Sequence, residues 1–152
     1  MNKIHNTIQN IISTSVILVY IIPVSLFIYT GDTIHIKAFV GSFITILTEY
    51  MKHRIGKKNP RPDGALDCNM WCNNGDVSGK PGMPSGHSVS SAFFAGFYFQ
   101  NTNNVWIKSM LVMYAGLVMI SRYMKKCHTI GQIGTGATIG IIFSWIMNHI
   151  PP

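Results

Sequence analysis

At 152 residues the chain is long enough for a single domain, but its composition excludes an ordinary soluble one. Hydrophobic residues make up 47% of the chain and charged residues only 11%, against about 25% charged residues in typical soluble domains. The net charge of +7 does not indicate nucleic-acid binding, because the cationic residues lie in short stretches between apolar runs and form no continuous basic face. A soluble protein of buried helices is the alternative, yet too little polar sequence remains to coat such helices.

Five apolar runs, taken in chain order, predict an all-α fold, a polytopic bundle of about five transmembrane helices. The runs cover residues 8–29, 34–50, 88–100, 105–120 and 130–147. The first run is long enough to cross a hydrocarbon core of about 30 Å, and it is too long for a cleaved signal peptide. The second run is weaker, because Lys37 and Glu49 lie near its ends, and the third is short. In the last run Gly136 and Gly140 form a small-xxx-small pair, which lets helix backbones approach closely.

We expect one domain over residues 1–152, with the segments 51–87 and 121–129 on the same face of the membrane. Of the twelve Lys and Arg residues, only Lys37 and Lys108 lie away from this face. The positive-inside rule would make the face cytoplasmic, unless several of these residues serve the chemistry of a site. The orientation of the chain in the membrane is therefore left open. A polar loop as long as 51–87 is usually functional or disordered in a bundle of this size.

Three polar clusters fall on this face and carry residues from which a phosphate site can be built. They read RIGKKNPRP from Arg54 to Pro62, PSGH from Pro84 to His87, and SRYMKKCHTIGQ from Ser121 to Gln132. Arginine and lysine neutralise phosphate, and a helix beginning at PSGH would add unpaired N–H groups. The two histidines, which titrate near neutral pH, can serve as nucleophile and as acid. No carboxylate cluster has metal-ligand spacing, so we expect arginines rather than a metal ion to stabilise the developing charge.

Each cluster taken alone has a plainer explanation. PSGH can be a turn and a helix cap. The basic residues from Arg54 to Lys58 could bind anionic lipid headgroups, and His128 could be an interfacial histidine. The three clusters together, in this order and on one face, favour a phosphate site.

Together the clusters resemble the signature of the type-2 phosphatidic acid phosphatase superfamily, which is K-x6-R-P, then P-S-G-H, then S-R-x5-H-x3-D. The second element matches at Pro84–His87, and the third matches over residues 121–128. Arg54 stands where the family has lysine, and Gln132 stands where it has aspartate. The resemblance covers residues 50–135 and implies a membrane-bound phosphatase.

The resemblance implies a role for each matching residue. His128 would attack phosphorus to form a phosphohistidine, His87 would protonate the leaving oxygen, and Gln132 would orient His128 through its amide oxygen. The phosphate oxygens would be bound by Arg54, Arg61, Ser85, Gly86 and Arg122. No metal or other cofactor would be needed. The substrate would be a lipid phosphate or a polyprenyl diphosphate held at the surface of the bilayer.

Gln132 leaves a second interpretation open. Glutamine supplies no charge to the nucleophile, so the chain could be a catalytically impaired protein that binds lipid phosphate. A carboxylate at this position, in Gln132→Asp, would then be expected to raise turnover. A third interpretation is a structural membrane protein whose basic loops contact anionic lipids. Cys68 and Cys72 could form a disulfide outside the cytosol, and Cys127 is expected to be a small interfacial residue.

Overall fold

In the computed structural model, which describes residues 3–151 and only the backbone of residues 3 and 5, the chain folds into helices joined by one long irregular segment. Seven α-helices lie within this range. They are α1 (Lys3–Thr14), α2 (Leu18–Thr30), α3 (Ile34–Ser42), α4 (Ile44–Arg54), α5 (Gly86–Gln100), α6 (Val105–Met124) and α7 (Ile130–His149). Short 3-10 turns, Ser15–Ile17 and Gly56–Lys58, follow α1 and α4. The predicted all-α fold is confirmed.

Three helical stretches are long and apolar enough to cross a membrane. They are Asn6–Thr30, Val105–Met124 and Ile130–His149, and they correspond to the first, fourth and fifth predicted spans. The second predicted span is divided between α3 and α4, which meet at Phe43. The third lies within α5, which at 15 residues is about 22 Å long, shorter than a hydrocarbon core. Crossing of the membrane by these two segments therefore stays a prediction.

Helix α5 forms the centre of the bundle and packs along α6 and α7. The contact with α7 is close because two glycines leave room for the α5 backbone. A Cβ added to Gly136 would lie 2.6 Å from the carbonyl oxygen of Ser85, and one added to Gly140 would lie 2.4 Å from that of Val89. The predicted small-residue pair is thus a site of close backbone approach. As a result, α5 and α7 begin at the same end of the bundle.

The irregular segment between α4 and α5 covers this end of the bundle. The predicted loop 51–87 is helical at both of its ends, and isolated bridges between Pro60 and Pro81 and between Leu66 and Asp76 brace the part between. A small apolar cluster forms its core. The cluster comprises Ala65, Cys68, Val77 and Cys127.

A disulfide between Cys68 and Cys127 ties the segment to the turn that precedes α7. The expectation for these cysteines is therefore wrong in two respects: Cys68 does not pair with Cys72, and Cys127 is a half-cystine. The thiol of Cys72 is free, and its sulfur lies 3.1 Å from Nζ of Lys125. The short C-x-x-x-C spacing suggested the wrong partner, because the fold brings Cys127 close from 59 residues away.

Candidate active site

A cavity of about 460 Å³ opens at the end of the bundle where α5 and α7 begin. Basic side chains from four elements that are far apart in sequence line this cavity. They are Lys52 from α4, Arg61 from the irregular segment, His87 from α5 and His128 from the turn before α7. The N-terminal residue of α5, Gly86, also lines the cavity, where the helix dipole favours negative charge. Apolar side chains, including Val16, Tyr20 and Met70, also line the cavity.

His128 is buried, and the hydrogen bonds of its ring define a single tautomer. Nε2 of Gln132 donates to the carbonyl oxygens of Asn59, at 3.0 Å, and Pro60, at 2.8 Å. This arrangement directs Oε1 of Gln132 towards His128, where it accepts a hydrogen bond from Nδ1 at 3.1 Å. The hydrogen of the neutral ring is therefore on Nδ1, and Nε2 carries the lone pair, 3.1 Å from Nη1 of Arg61.

The environment of His128 keeps this ring neutral. Burial, and next the charge of Arg61, hold the pKa of His128 well below its usual value. A neutral imidazole whose Nε2 lone pair carries no proton is the form that a nucleophilic histidine requires.

Gln132 also fixes the start of α7. Its backbone N–H donates to Oγ1 of Thr129, and its side-chain Oε1 accepts from the backbone N–H of Thr129 at 3.2 Å. This reciprocal pair is a capping box. One glutamine side chain thus ends the turn, orients His128 and contacts the segment that carries Arg61.

His87 is half-buried at the second residue of α5 and faces the same cavity. Its Nε2 lies 3.4 Å from Oγ of Ser13 on α1. Burial lowers the pKa of His87 well below its usual value, and the nearby positive charges of Arg122, Lys52 and Arg61 lower it further.

Lys52 contributes an ammonium group that the sequence motifs did not identify. Its side chain is only 12% exposed and forms an ion pair with Glu49. A Cβ added to Gly86 would lie 3.6 Å from Nζ of Lys52, so the ammonium group lies beside the N-terminus of α5. Burial lowers the pKa of Lys52, although Glu49 opposes this shift.

Arg54 is not brought to the cavity, contrary to the prediction that it binds phosphate. Residues two positions apart on a helix are separated by about 200° around its axis, so Lys52 and Arg54 lie on opposite faces of α4. Arg54 is exposed, donates from Nε to the hydroxyl of Tyr50 at 3.2 Å, and stacks over the ring of Tyr50. Lys52, rather than Arg54, is therefore the α4 cation that lines the cavity. The sequence signal for Lys52 was its helical spacing. It lies two residues before Arg54, on the face of α4 that bears Thr45 and Thr48.

Arg122 and Ser85 do not line the cavity, but they form hydrogen bonds that support its wall. The guanidinium of Arg122 is fully buried and donates to Oγ of Ser13 and to the carbonyl oxygen of Cys68. The backbone N–H of Ser85 donates to the carbonyl oxygen of Gln132 at 3.2 Å, which joins the start of α5 to the start of α7. In this structure both residues support the cavity wall.

The structure is thus a helical bundle with helices long and apolar enough to cross a membrane, and two histidines and two cations line a cavity at one of its ends. The sequence profile of the PAP2 superfamily matches residues 15–152, and the chain therefore belongs to this superfamily. The resemblance to the type-2 phosphatidic acid phosphatases is thereby confirmed. Members of the superfamily are phosphatases that act on phosphate esters. No curated protein and no solved structure significantly matches the chain.

Proposed function

We propose that this protein is a metal-independent membrane phosphatase that removes phosphate from a lipid phosphate or a polyprenyl diphosphate. The observation that carries the proposal is the state of His128. Its Nε2 lone pair is unprotonated, fixed in direction by Gln132, and 3.1 Å from the guanidinium of Arg61. A phosphate held by Arg61 would therefore lie in front of the nucleophile.

The proposed reaction proceeds in two steps. The lone pair on Nε2 of His128 forms a bond to phosphorus while the bond from phosphorus to the leaving oxygen breaks, and His87 gives its proton to that oxygen. An alcohol departs, and phosphohistidine remains. Water then attacks phosphorus, the N–P bond breaks, and His87 takes a proton from the water. Lys52, Arg61 and the N–H groups at the start of α5 stabilise the charge on the equatorial oxygens.

The apolar side chains of the cavity support a lipid as the substrate. Val16, Tyr20 and Met70 line the same cavity as Lys52 and Arg61, so a bound molecule meets both charged and apolar side chains. Beyond Tyr20, α2 exposes further apolar side chains, including Ile21 and Val24. An amphiphile could thus place its phosphate among the cations while its tail remains beside α2 in the bilayer.

Gln132 supports the second candidate, a lipid-phosphate-binding protein with slow or absent turnover. The amide oxygen holds the tautomer of His128 but supplies no negative charge to stabilise an imidazolium. Both candidates predict anion binding, and turnover distinguishes them.

The test is release of inorganic phosphate by the purified full chain in detergent and EDTA, with phosphatidate and a polyprenyl diphosphate as substrates. We expect release by the wild type, complete loss in His128→Ala, and full activity in His149→Ala. His149 is a matched control because it is an exposed histidine at the end of α7 farthest from the cavity. An inert wild type that still binds orthovanadate would favour the second candidate. Release that persists in His128→Ala would contradict the proposed mechanism.

A further inference from the structure

Ser13 is a fully buried hydroxyl group on α1, in a stretch of the chain that reads as apolar. It lies before residue 15, where the match to the superfamily begins. No motif in the sequence points to it. In the fold, however, α1 packs against α6. This packing brings Ser13 to Arg122, which supports the cavity wall, and to His87, which lines the cavity.

The contacts of Ser13 link a permanent cation to the second histidine. Its Oγ accepts a hydrogen bond from Nη1 of Arg122, because a guanidinium can only donate. The same oxygen lies 3.4 Å from Nε2 of His87. Hydrogen bonds of catalytic groups are often this long before the substrate is bound.

We propose that Ser13 is a positioning residue for His87: it engages Nε2, so that Nδ1 is the nitrogen that gives its proton to the leaving oxygen. This inference rests on the proposed phosphatase function. In the acid form of His87 both nitrogens carry hydrogen, and the second lone pair of Ser13 Oγ accepts from Nε2–H. When the bond to the leaving oxygen breaks, the proton on Nδ1 passes to that oxygen, and the neutral ring keeps its hydrogen on Nε2.

The charges around His87 explain why such an acceptor is needed. The charged and titratable groups that face the ring or its cavity come from α4, the irregular segment, α6 and the turn before α7. They are Glu49, Lys52, His53, Arg61, Lys80, Arg122 and His128. The cations Arg122, Lys52 and Arg61 oppose protonation of His87, whereas a phosphate dianion in the cavity favours it. Ser13 adds a fixed acceptor on the side of the ring away from the phosphate.

The leaving group provides a test that a merely structural role would not affect. A general acid matters for an alkoxide, which is a poor leaving group, and matters little for a nitrophenolate, which leaves without a proton. We therefore compare kcat/KM for a long-chain alkyl phosphate with kcat/KM for 4-nitrophenyl phosphate in Ser13→Ala. We expect the first to fall roughly 10- to 100-fold and the second to change by less than about twofold. The ratio of the two values does not depend on the fraction of protein that is folded.

Two further variants complete the experiment. Ser15→Ala removes a nearby hydroxyl that donates to the carbonyl oxygen of Ile12, and it should keep the wild-type ratio. Ser13→Thr keeps the hydroxyl and should also keep the ratio. An equal fall on both substrates in Ser13→Ala, or no fall on either, would overturn the inference while leaving the proposed function intact. A wild type that hydrolyses neither substrate would instead overturn the proposed function, and the inference with it.

Discussion

The two histidines of the cavity are held in different ways. His128 is contacted at both ring nitrogens, by Gln132 at Nδ1 and by Arg61 at Nε2, each at 3.1 Å. His87 is contacted at Nε2 by Ser13, at the longer distance of 3.4 Å, and among the described residues no hydrogen bond to its Nδ1 is present. The difference matches the chemistry proposed for each ring.

A nucleophile and an acid need different degrees of restraint. The lone pair of His128 must point at phosphorus before the reaction begins, so fixing both nitrogens lowers the entropic cost of reaching the transition state. The leaving oxygen differs in position from one substrate to another, and a general acid that follows it needs one anchored nitrogen and one free nitrogen. The account therefore predicts that changes near His128 affect every substrate, whereas changes near His87 affect mainly those with poor leaving groups.

The largest effect is expected from opening the disulfide on the His128 side of the cavity. Cys68 and Cys127 are 59 residues apart, and a crosslink over such a distance stabilises a fold by about 4 kcal/mol in the loop-entropy description. The carbonyl of Cys127 also accepts from Nη1 of Arg61 at 3.0 Å, so loss of the crosslink should loosen the residue that faces His128. We expect Cys68→Ser/Cys127→Ser to unfold at a lower temperature than wild type.

The control for that experiment is Cys72→Ser, which removes the free thiol and leaves the crosslink in place. Equal stability of the oxidised and the dithiothreitol-treated protein would contradict the prediction.

Because disulfides persist in oxidising compartments, the same crosslink favours a lumenal or external cavity, opposite to the side indicated by the count of Lys and Arg.

A second large effect is expected at Gln132, where the structure and the family pattern lead to opposite predictions. The family pattern suggests that Gln132→Asp should raise turnover. In the structure, an aspartate carboxylate has no N–H to donate to the carbonyl oxygens of Asn59 and Pro60, and its shorter side chain extends less far towards His128. We expect kcat/KM to fall by roughly 100-fold on all substrates, the usual effect of misplacing a reacting group by about 1 Å. Gln100→Ala, at the other end of α5, is the matched control and should be unaffected. A rise in turnover would mean that charge at position 132 matters more than the amide contacts.

A smaller effect separates the two faces of α4. Lys52→Ala removes a buried ammonium group from the cavity and should raise KM by roughly tenfold, the usual effect of losing one charge-assisted contact. Arg54→Ala removes an exposed guanidinium that stacks on Tyr50, and its KM should stay within about twofold of wild type. Steady-state kinetics on one lipid phosphate checks both variants. A larger effect in Arg54→Ala than in Lys52→Ala would contradict the placement of these residues.

The features of this site that could be predicted from the sequence are those formed by residues close together in the chain. Thr129 and Gln132 have the spacing of a capping box, which predicts the start of α7 and turns the Gln132 side chain back towards His128. PSGH predicted the start of α5 because its residues favour a turn and a helix N-terminus. The apolar runs predicted the all-α fold, although composition could not indicate that the second run would divide at Phe43.

The parts that could not be read depend on contacts between distant segments. Ser13 reaches Arg122 across 109 positions, and Cys68 reaches Cys127 across 59. Neither pairing leaves a periodic or compositional signal. The choice of Lys52 over Arg54 depends on which face of α4 turns towards α5, and this follows from packing rather than from the motif.

Trapping the phosphorylated enzyme tests most directly whether His128 is the nucleophile. Wild-type protein is incubated with ³²P-labelled phosphatidate, quenched in alkali, in which phosphohistidine is stable, and digested to locate the label. If His128 is the nucleophile, acid-labile label appears on His128 in the wild type and none appears in His128→Ala. Continued release of phosphate without label on His128, or label on a different residue, would contradict it.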